Sequence, residues 1–431
     1  MRRTQPPPPL IPNEEEDEEE PPPPPPPIIW ESAPWTEIFT RPQKSRTAGE
    51  DFPTARIVSF LKDEAKIGCT VEEIVTAANV ITYHVKLNKI MDLSKIPKAV
   101  EAMAADFDTD ITHGESRGYG AHFSLTIPRG SRETVWIYDV MDTDEFRRIA
   151  NDPKSLPVIV GMYSDNTPAV LDIGKLPHML ICGTSGSGKS VVLNSMLISA
   201  VAERTPDQLQ LLMIDPKETE LIPYDGLPHL FMPIITETYM AAEALGEAVE
   251  EMDWRQKIAA EMGVRTLGAE TPYLLVVIDE LADLMLTSGK YVESSITRLA
   301  QKGRALKIHV ICATQSPMAK VTTNLIRANL SARLAFRTTT DIESRIALGR
   351  NGCTELLGNG DGWLVVGTEQ RVQAALSGTD EIEALKEWYC HEVPYNAINL
   401  ERRYAWQKSL SEAKERRAAE IEIIEREANG L

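Results

Sequence analysis

The sequence predicts an α/β fold whose central sheet is mostly parallel. Between about residues 146 and 397, short β-branched runs alternate with longer helical patterns, as expected when helices cover both faces of a parallel sheet. One run leads directly into a glycine-rich loop, and another ends in a carboxylate pair at the edge where ligands bind in open α/β sheets. The predicted strands are HMLIC (178–182), LQLLMI (209–214), YLLVVI (273–278), HVICAT (309–314), RLAFRT (333–338) and GWLVV (362–366).

A small α+β domain is predicted at residues 54–145, before the larger domain. We expect helices near 71–78 and around 96–107 in this segment. The expected strands are ITYHVKL (81–87), HFSLTIP (122–128) and ETVWIYDV (133–140). The segment contains no catalytic constellation, and its histidines are not spaced as metal ligands.

The two ends of the chain have biased compositions. Residues 1–53 contain two polyproline runs and the acidic run EEEDEEE, so they bury too little apolar surface to fold and predict a disordered leader. Such a leader either keeps the protein soluble or acts as a tether that recruits a partner or competes with DNA for basic surfaces. The composition does not distinguish these roles. Residues 398–431 predict one charged helix with a thin apolar stripe.

Composition restricts the class of protein. The 431 residues are 42% hydrophobic and 25% charged, as in an ordinary soluble globular protein. The five cysteines form no C-x-x-C pair, which argues against a disulfide framework or a zinc site and fits a reducing compartment. Without a secretory signal or an uncharged run of eighteen apolar residues, we expect a cytoplasmic protein with no stable membrane insertion.

The net charge of −19 disfavours a nucleic-acid partner at first sight. However, residues 14–20 carry seven of the negative charges, so the rest of the chain carries −12. An acidic outer surface is also compatible with a few basic side chains inside the channel of a ring. The charge therefore does not exclude DNA.

The glycine-rich loop follows the phosphate-binding pattern G-x-x-x-x-G-K-[ST]. Its residues are Gly183, Thr184, Ser185, Gly186, Ser187, Gly188, Lys189 and Ser190. Glycines let successive backbone N–H groups point at phosphate oxygens, and the helix that follows adds its positive dipole. Lys189 would reach the β- and γ-phosphates, and Ser190 would coordinate Mg²⁺. Because a predicted strand precedes the loop and a helix follows it, we favour an ATP and Mg²⁺ site over a glycine-rich turn that binds nothing.

Three further positions predict hydrolysis of the bound nucleotide. Asp279 and Glu280 follow a buried strand, where Asp279 would hold Mg²⁺ through water and Glu280 would orient the attacking water. Gln315 follows the strand at 309–314 and would sense the γ-phosphate. Arg304 is a candidate for the cation that such ATPases receive from outside the site, although its local sequence alone favours a solvated helix surface.

Long motifs of this chain strongly resemble the motor domain of FtsK/SpoIIIE DNA translocases. The resemblance runs from about residue 161 to residue 366, and more weakly through the small domain at 54–145. The motifs are GTSGSGKS (183–190), LLMIDPKETEL (211–221), VVIDELADLM (276–285), RLAQKGRALKIHVICATQSP (298–317), LIRANLSARLAFRTTTDIESR (325–345) and LLGNGDGWLV (356–365).

This resemblance implies a RecA-like P-loop NTPase motor that forms a hexameric ring and pumps double-stranded DNA through its centre. ATP would be hydrolysed between subunits, and Arg304 matches the arginine that the family donates to a neighbour's site. The residues that match the family's own ATP-site positions are Lys189, Ser190, Asp279, Glu280 and Gln315.

The pore-facing loops depart from the family pattern. The family usually has an arginine in an ATQRP context and a lysine in an SSKIDSR context, where this chain has Ser316 and Asp341. The final arginine of the second context is present. The candidate DNA contacts are therefore Arg345, Lys320 and Arg337.

Two parts of the cellular translocases have no counterpart in the sequence: the membrane anchor and the C-terminal winged-helix module. We therefore expect a soluble form of the motor, encoded by a phage or plasmid and acting in the bacterial host cytoplasm. A coupling ATPase for conjugation or protein export is the alternative, and a nucleotide-binding scaffold without turnover is a third hypothesis. Neither direction nor step size of movement follows from the sequence.

Overall fold

Two β-sheets organise the described residues, which are 31–42, 51–109, 111–115, 122–130 and 132–390. The strands in this part of the chain are β1 (Cys69–Thr76), β2 (Val80–Leu87), β3 (Thr112–Glu115), β4 (His122–Pro128), β5 (Pro157–Tyr163), β6 (Pro168–Asp172), β7 (Met179–Cys182), β8 (Leu209–Ile214), β9 (Tyr273–Ile278), β10 (Ile308–Thr314), β11 (Ala332–Phe336), β12 (Asp361–Val366) and β13 (Thr368–Ala374).

The α-helices of the same residues are α1 (Trp35–Ile38), α2 (Thr54–Ser59), α3 (Ile96–Phe107), α4 (Ile137–Met141), α5 (Asp144–Ala150), α6 (Lys189–Glu203), α7 (Thr238–Glu261), α8 (Leu281–Lys302), α9 (Asn324–Asn329), α10 (Asp341–Ala347) and α11 (Thr379–Tyr389). A π-helical turn extends α2 over Phe60–Glu64. Short 3₁₀ helices lie at Ile90–Lys95, Ile173–Lys175, Ile222–Tyr224 and Gly303–Leu306.

The small domain is an antiparallel sheet covered by helices. Its strand order is β1-β2-β4-β3. One face of β2 and β4 packs with α3 and the α2 segment around a core that includes Tyr83, Met103 and Phe123. The amphipathic periodicity of residues 96–107 thus forms the predicted helix by burying one stripe against the sheet.

The large sheet has nine strands in the order β6-β5-β13-β12-β11-β7-β10-β9-β8. The five strands from β11 to β8 are parallel. The four strands from β6 to β12 extend this sheet with antiparallel pairing. All parallel strands therefore direct their carboxyl ends to one edge, and the phosphate loop follows β7 at this edge.

Helices bury both faces of the parallel strands. Residues of β8, β9 and β10 are buried throughout, as the continuous apolar runs predict. Alternate residues of β9, namely Leu274, Val276 and Ile278, pack in one core with α7 and α8. The predicted α/β motor fold is confirmed, with its parallel strands at the predicted places.

The antiparallel extension is only partly predicted from the sequence. Residues 362–366 form the predicted strand within β12, whereas β5, β6 and β13 were not anticipated. The sequence of β13, TEQRVQA, is mostly polar, and only Val372 and Ala374 in it are apolar. Its strand conformation depends on pairing with β12 and β5.

Two predictions in the small domain are wrong. The expected helix at 71–78 is the edge strand β1, because its β-branched residues pair with β2 while Glu72 and Glu73 are exposed. The expected strand at 133–140 instead ends in the helix α4. The backbone N–H of Trp136 donates to the Asp139 carboxylate at 3.2 Å, which stabilises this helix start.

The composition-based boundary of the leader at residue 53 differs from the structure. Residues 31–42 contain α1, and Trp35 Nε1 donates to the Glu203 carboxylate at 2.9 Å. Phe52 stacks on Phe107. Aromatic side chains thus supply the apolar area that the polyproline and acidic runs lack. Residues 1–30, 43–50 and 391–431, which include the helix predicted at 398–431, lie outside the described residues.

Among the helices that the structure describes, none combines the length and apolar character needed to cross a membrane.

Candidate active site

The phosphate loop connects β7 to α6 in the predicted strand–loop–helix order. Gly186 and Gly188 have φ values of +73° and +115°, a region that residues with a Cβ atom rarely adopt. A Cβ at Gly188 would also collide with the backbone of Gly360. The glycine pattern therefore has two physical reasons here, namely backbone conformation and close approach of a second loop.

Neighbouring segments hold the phosphate loop through backbone hydrogen bonds. The N–H of Gly183 donates to the carbonyl of Thr314 at 3.2 Å, and that of Thr184 donates to Arg337 at 3.0 Å. The N–H of Gly360 donates to the Ser187 carbonyl at 2.7 Å. The loop at 358–360 was not assigned a role from the sequence, although its G-N-G pattern was a visible signal of unusual backbone conformation.

Lys189 forms a buried ion pair with Asp279. Its Nζ lies 2.6 Å from Asp279 Oδ1 and 2.9 Å from the Asp279 carbonyl, and both side chains are buried. Burial raises the pKa of Asp279, and the Lys189 ammonium opposes this shift. The two residues that the sequence assigned to phosphate and Mg²⁺ are therefore in direct contact.

The oxygens near this pair fit a divalent cation. Asp279 Oδ2 and Ser187 Oγ are buried and have no hydrogen-bond partner among the described residues. Ser190 is half-buried at the start of α6, one residue after Lys189. Carboxylate and hydroxyl oxygens are the donors that Mg²⁺ prefers, so Asp279 and Ser190 are chemically suited to hold it.

Donors from four residues hold the Glu280 carboxylate. Its Oε1 accepts from Thr314 Oγ1 at 2.7 Å, and its Oε2 accepts from Lys217 Nζ at 2.9 Å. The backbone N–H groups of Gln315 and Ala282 also donate to this carboxylate. Burial raises the pKa of Glu280, but the hydrogen bonds from Lys217, Thr314 and Gln315 outweigh it, so the pKa is lowered. Glu280 is therefore an ionised, fixed carboxylate at neutral pH.

Lys217 is the site residue that sequence reasoning missed. It lies in a loop after β8 that folds around the buried carboxylate of Asp215. This carboxylate accepts hydrogen bonds from backbone N–H groups of the loop, with distances from 2.9 to 3.2 Å; the donors are Lys217, Thr219, Glu220 and Leu221. The signal available from the sequence was an Asp at a strand end, followed by a lysine two residues later.

A cavity of about 780 Å³ opens at the phosphate loop. Gln315 is half-buried and lines this cavity beside Lys189, as expected for a residue that contacts a nucleotide. The other lining residues include Asn79 and 132–135 of the small domain and 357–359 of the large domain. Both domains thus contribute to the walls of the candidate nucleotide site.

Arg304 lies at the opposite end of the parallel strands, where these strands begin. It is exposed in the 3₁₀ turn before β10, where its Nη2 donates to the Lys175 carbonyl at 2.6 Å. Thr314, which contacts Glu280, ends the same strand. Seven residues of β10 separate the two edges by about 20 Å. Arg304 therefore cannot reach the Glu280 of its own chain.

The three candidate DNA-binding residues do not all lie in similar positions. Lys320 is exposed between β10 and α9, and Arg345 is exposed on α10. Arg337 is also exposed, but its carbonyl accepts from the N–H and Oγ1 of Thr184, which places it beside the phosphate loop. Asp341 is held by Asn351 and Thr354 at the start of α10.

The fold and the arrangement of Lys189, Asp279 and Glu280 define a P-loop ATPase motor. Residues 139–270 and 266–319 match the profile of the family described as FtsK/SpoIIIE. Residues 139–319 of the chain therefore form a domain of the FtsK/SpoIIIE family.

Curated relatives agree with this assignment. The chain is 37% identical over 297 residues to "DNA translocase FtsK 2" of Neisseria meningitidis, which covers 61% of this chain and 29% of the relative. It is 36% identical over 373 residues to "DNA translocase FtsK" of Mycobacterium leprae, which covers 80% of this chain and 43% of the relative. The chain thus spans less than half the length of these two relatives.

Two solved structures share the fold. The pCW3 conjugation coupling protein TcpA, in a monomer form with ATPgS, aligns with a TM-score of 0.52 and 21% identity over 77% of this chain and 98% of TcpA. The cytoplasmic domain of the type VII secretion ATPase EccC of Thermomonospora curvata aligns with a TM-score of 0.53 and 24% identity, over 61% of this chain and 35% of that one.

Proposed function

We propose that this protein is an ATP-driven translocase that moves double-stranded DNA through a hexameric ring. The observation that carries the proposal is the buried site in which Lys189 contacts Asp279 while Glu280 is fixed as a carboxylate. The identity of 36–37% to curated DNA translocases supports DNA as the substrate of the motor.

ATP binding would change the partners of Lys189. Its Nζ leaves Asp279 for the β- and γ-phosphates, because their negative charge exceeds that of one carboxylate. Asp279 and Ser190 are then available to Mg²⁺, which neutralises charge on the phosphates when it is bound. In this exchange the phosphates replace Asp279 as the partner of Lys189, and Mg²⁺ would replace Lys189 as the partner of Asp279. Neither buried charge is then left without a partner.

Glu280 would position the attacking water. Hydrogen bonds from Thr314, Lys217 and the Gln315 N–H fix the carboxylate, so it is already oriented before the reaction begins. Its lowered pKa keeps it ionised and able to accept a hydrogen bond from water. Loss of the γ-phosphate would be transmitted through Gln315. This residue lines the cavity, and its backbone N–H donates a hydrogen bond to Glu280.

The neighbouring subunit would complete the site. Phosphoryl transfer gains from a cation near the developing charge. The exposure of Arg304 at the opposite end of its own strands supports a role in another subunit's site instead of its own. A ring of subunits supplies one Arg304 to each ATP site.

DNA contacts would come from Lys320 and Arg345, both exposed beyond the carboxyl-end edge. Because Arg337 adjoins the phosphate loop, we assign it to the nucleotide site or to coupling instead of to direct DNA binding. Two basic residues per subunit, repeated around a ring, would supply a phosphate-binding surface within an acidic protein.

The test is the ATPase rate of the full chain with and without duplex DNA, at about 50 mM salt where phosphate contacts are strong. We expect DNA to stimulate ATP hydrolysis, and we expect Lys189→Ala to abolish it. Lys257→Ala, an exposed lysine on α7, is the matched control and should behave as wild type. A rate that does not respond to DNA would contradict the proposal.

A coupling ATPase for conjugation or protein export remains the second candidate, since TcpA and EccC share this fold. Stimulation by a polypeptide substrate and not by duplex DNA would favour it. The higher identity to DNA translocases favours the first proposal.

A further inference from the structure

The turn that carries Arg304 is held on several sides by backbone hydrogen bonds. The carbonyl of Ala305 accepts from Leu267 N–H at 3.3 Å, and that of Lys307 accepts from Leu274 N–H at 2.8 Å. At Gly303 a Cβ would lie 2.6 Å from the Ile308 carbonyl oxygen, so glycine is needed for the close approach. The backbone of the turn is thereby attached to β9, β10 and the segment that follows α7.

A buried arginine contacts the same turn from α7. Arg255 has no exposed surface, and its Nη1 donates to the carbonyls of Leu306 at 2.8 Å and Lys307 at 3.3 Å. The same nitrogen donates to the Pro272 carbonyl at 3.0 Å, just before β9. One guanidinium thus connects α7, the start of β9 and the end of the Arg304 turn.

Glu251, one helical turn earlier on α7, compensates the charge of Arg255. Its Oε1 lies 2.9 Å from Arg255 Nε, and both side chains are buried. Burying an ion pair costs several kcal/mol of desolvation, which well-packed apolar residues would avoid. A pair retained at this cost, and directed at the backbone carbonyls beside Arg304, suggests a role in placing that turn.

A second side chain holds the end of the turn. Lys307 adopts the left-handed region with a φ of +57°, and its Nζ donates to the Thr271 carbonyl at 3.0 Å. Strained backbone conformations of this kind persist where the surroundings determine them, and they concentrate at functional sites.

We propose that Arg255, fixed by Glu251, is a positioning residue for hydrolysis at the ATP site of the neighbouring subunit. It acts by holding the Gly303–Leu306 turn, so that Arg304 is presented from the ring interface in one orientation. The inference rests on the proposed ring in which Arg304 serves a neighbour.

The position of Arg255 predicts an effect on the neighbouring subunit's ATP site and not on the site of its own subunit. Arg255 and Arg304 contact the amino-end edge of the parallel strands, whereas Lys189 and Glu280 lie at the carboxyl-end edge. A change at Arg255 should therefore leave ATP binding by the same subunit intact. The defect should appear at the site that receives Arg304.

The first measurement is steady-state ATPase of the full chain carrying Arg255→Lys or Glu251→Gln. Small displacements of a catalytic group cost up to about 100-fold in rate, so we expect kcat to fall by about 10- to 100-fold. We expect KM for ATP to change less than about twofold. Glu251→Gln keeps the shape of the buried pair and serves if Arg255→Lys does not fold, as judged by circular dichroism and thermal melting.

The matched control is an ion pair that joins α7 to α8. Arg298 and Asp253 form an exposed ion pair of 2.9 Å between α8 and α7. Arg298→Lys should leave kcat unchanged, because an exposed pair contributes little and does not contact the turn. A loss in this control equal to that of Arg255→Lys would assign the effect to general helix packing and overturn the inference.

Mixed rings separate positioning from a structural role. Two variants are coexpressed with different tags, and assemblies that contain both are purified in two affinity steps. Arg255→Lys with Glu280→Gln should recover activity, because some interfaces then combine an intact Glu280 with an intact Arg304 turn. Arg255→Lys with Arg304→Ala should recover none, because both defects lie on the donating face.

The reference mixture is Arg304→Ala with Glu280→Gln. If this mixture does not recover activity, the proposed sharing of sites fails. If it recovers but Arg255→Lys does not recover with Glu280→Gln, or recovers with Arg304→Ala, the positioning role is wrong while the shared site stands.

Discussion

Glu280 and Arg304 lie at opposite ends of the same helix. The Glu280 carboxylate caps the first turn of α8 by accepting from the Ala282 N–H, and Arg304 follows two residues after the last residue of α8. Helix α8 is kinked at Ser288, and the seven residues of β10, which runs back between the same two ends of the sheet, span about 20 Å. One chain therefore cannot bring both groups to one ATP molecule.

The first prediction concerns Glu280→Gln. The amide keeps the size of the side chain but weakens its bond to Lys217 and its hold on water. We expect kcat to fall by about 10²- to 10⁴-fold while ATP still binds. Steady-state ATPase and equilibrium titration with a fluorescent ATP analogue measure the two effects. Loss of binding together with turnover would show that Glu280 supports the structure of the site instead.

The second prediction concerns Lys217, which sequence reasoning missed. Lys217→Met removes the donor 2.9 Å from Glu280 and leaves Thr314 and backbone N–H groups to hold the carboxylate. We expect kcat to fall by about 10- to 100-fold through misplacement of Glu280. Lys217→Arg keeps the charge and should restore part of the rate. Equal rates for the methionine and arginine variants would contradict a charge-dependent role.

The third prediction tests the loop that contacts the phosphate loop. Gly360 has a φ of +91°, and a Cβ there would lie 2.7 Å from Gln373 Nε2 and 3.1 Å from Ala374 Cβ. Gly360→Ala should displace the N–H that binds the Ser187 carbonyl and weaken ATP binding. Gly367→Ala is the control, because Gly367 has a φ of +71° but faces open space. Backbone strain of about 1–3 kcal/mol destabilises both variants equally. Only Gly360→Ala also disturbs the contact with the phosphate loop, so only this variant should lose ATP affinity.

The fourth prediction concerns acid stability. Burial, with smaller effects of His178 and nearby arginines, lowers the pKa of His309 from 6.5 to about 3. Between these values the unfolded chain binds a proton at this position and the folded chain does not. The free energy of unfolding therefore falls as pH decreases from 6.5 towards 3.

Urea unfolding at several pH values measures this effect. His309→Leu removes the titrating group, so its free energy of unfolding should depend less steeply on pH than that of wild type over this range. An equal or steeper dependence in His309→Leu would show that His309 does not contribute to acid unfolding.

The parallel part of the fold was predictable because its strands are mostly apolar runs, and β8, β9 and β10 are followed by the polar residues Asp215, Asp279 and Gln315. Lys189, Asp279 and Glu280 come together at that edge as expected. Strand β13 was not predictable, because its sequence is mostly polar and its strand conformation depends on pairing with β12 and β5. Lys217 and Arg255 were missed for a related reason: each acts through a long-range contact that has no local pattern.

The most direct test of the proposed function is displacement of a third strand from duplex DNA. A labelled oligonucleotide that forms a triplex at one end of a linear duplex is released when a motor runs along that duplex. We predict release by the wild-type chain that requires ATP, and none by Glu280→Gln, which still binds ATP. If wild type hydrolyses ATP in the presence of the duplex and the third strand stays bound, the protein does not translocate double-stranded DNA.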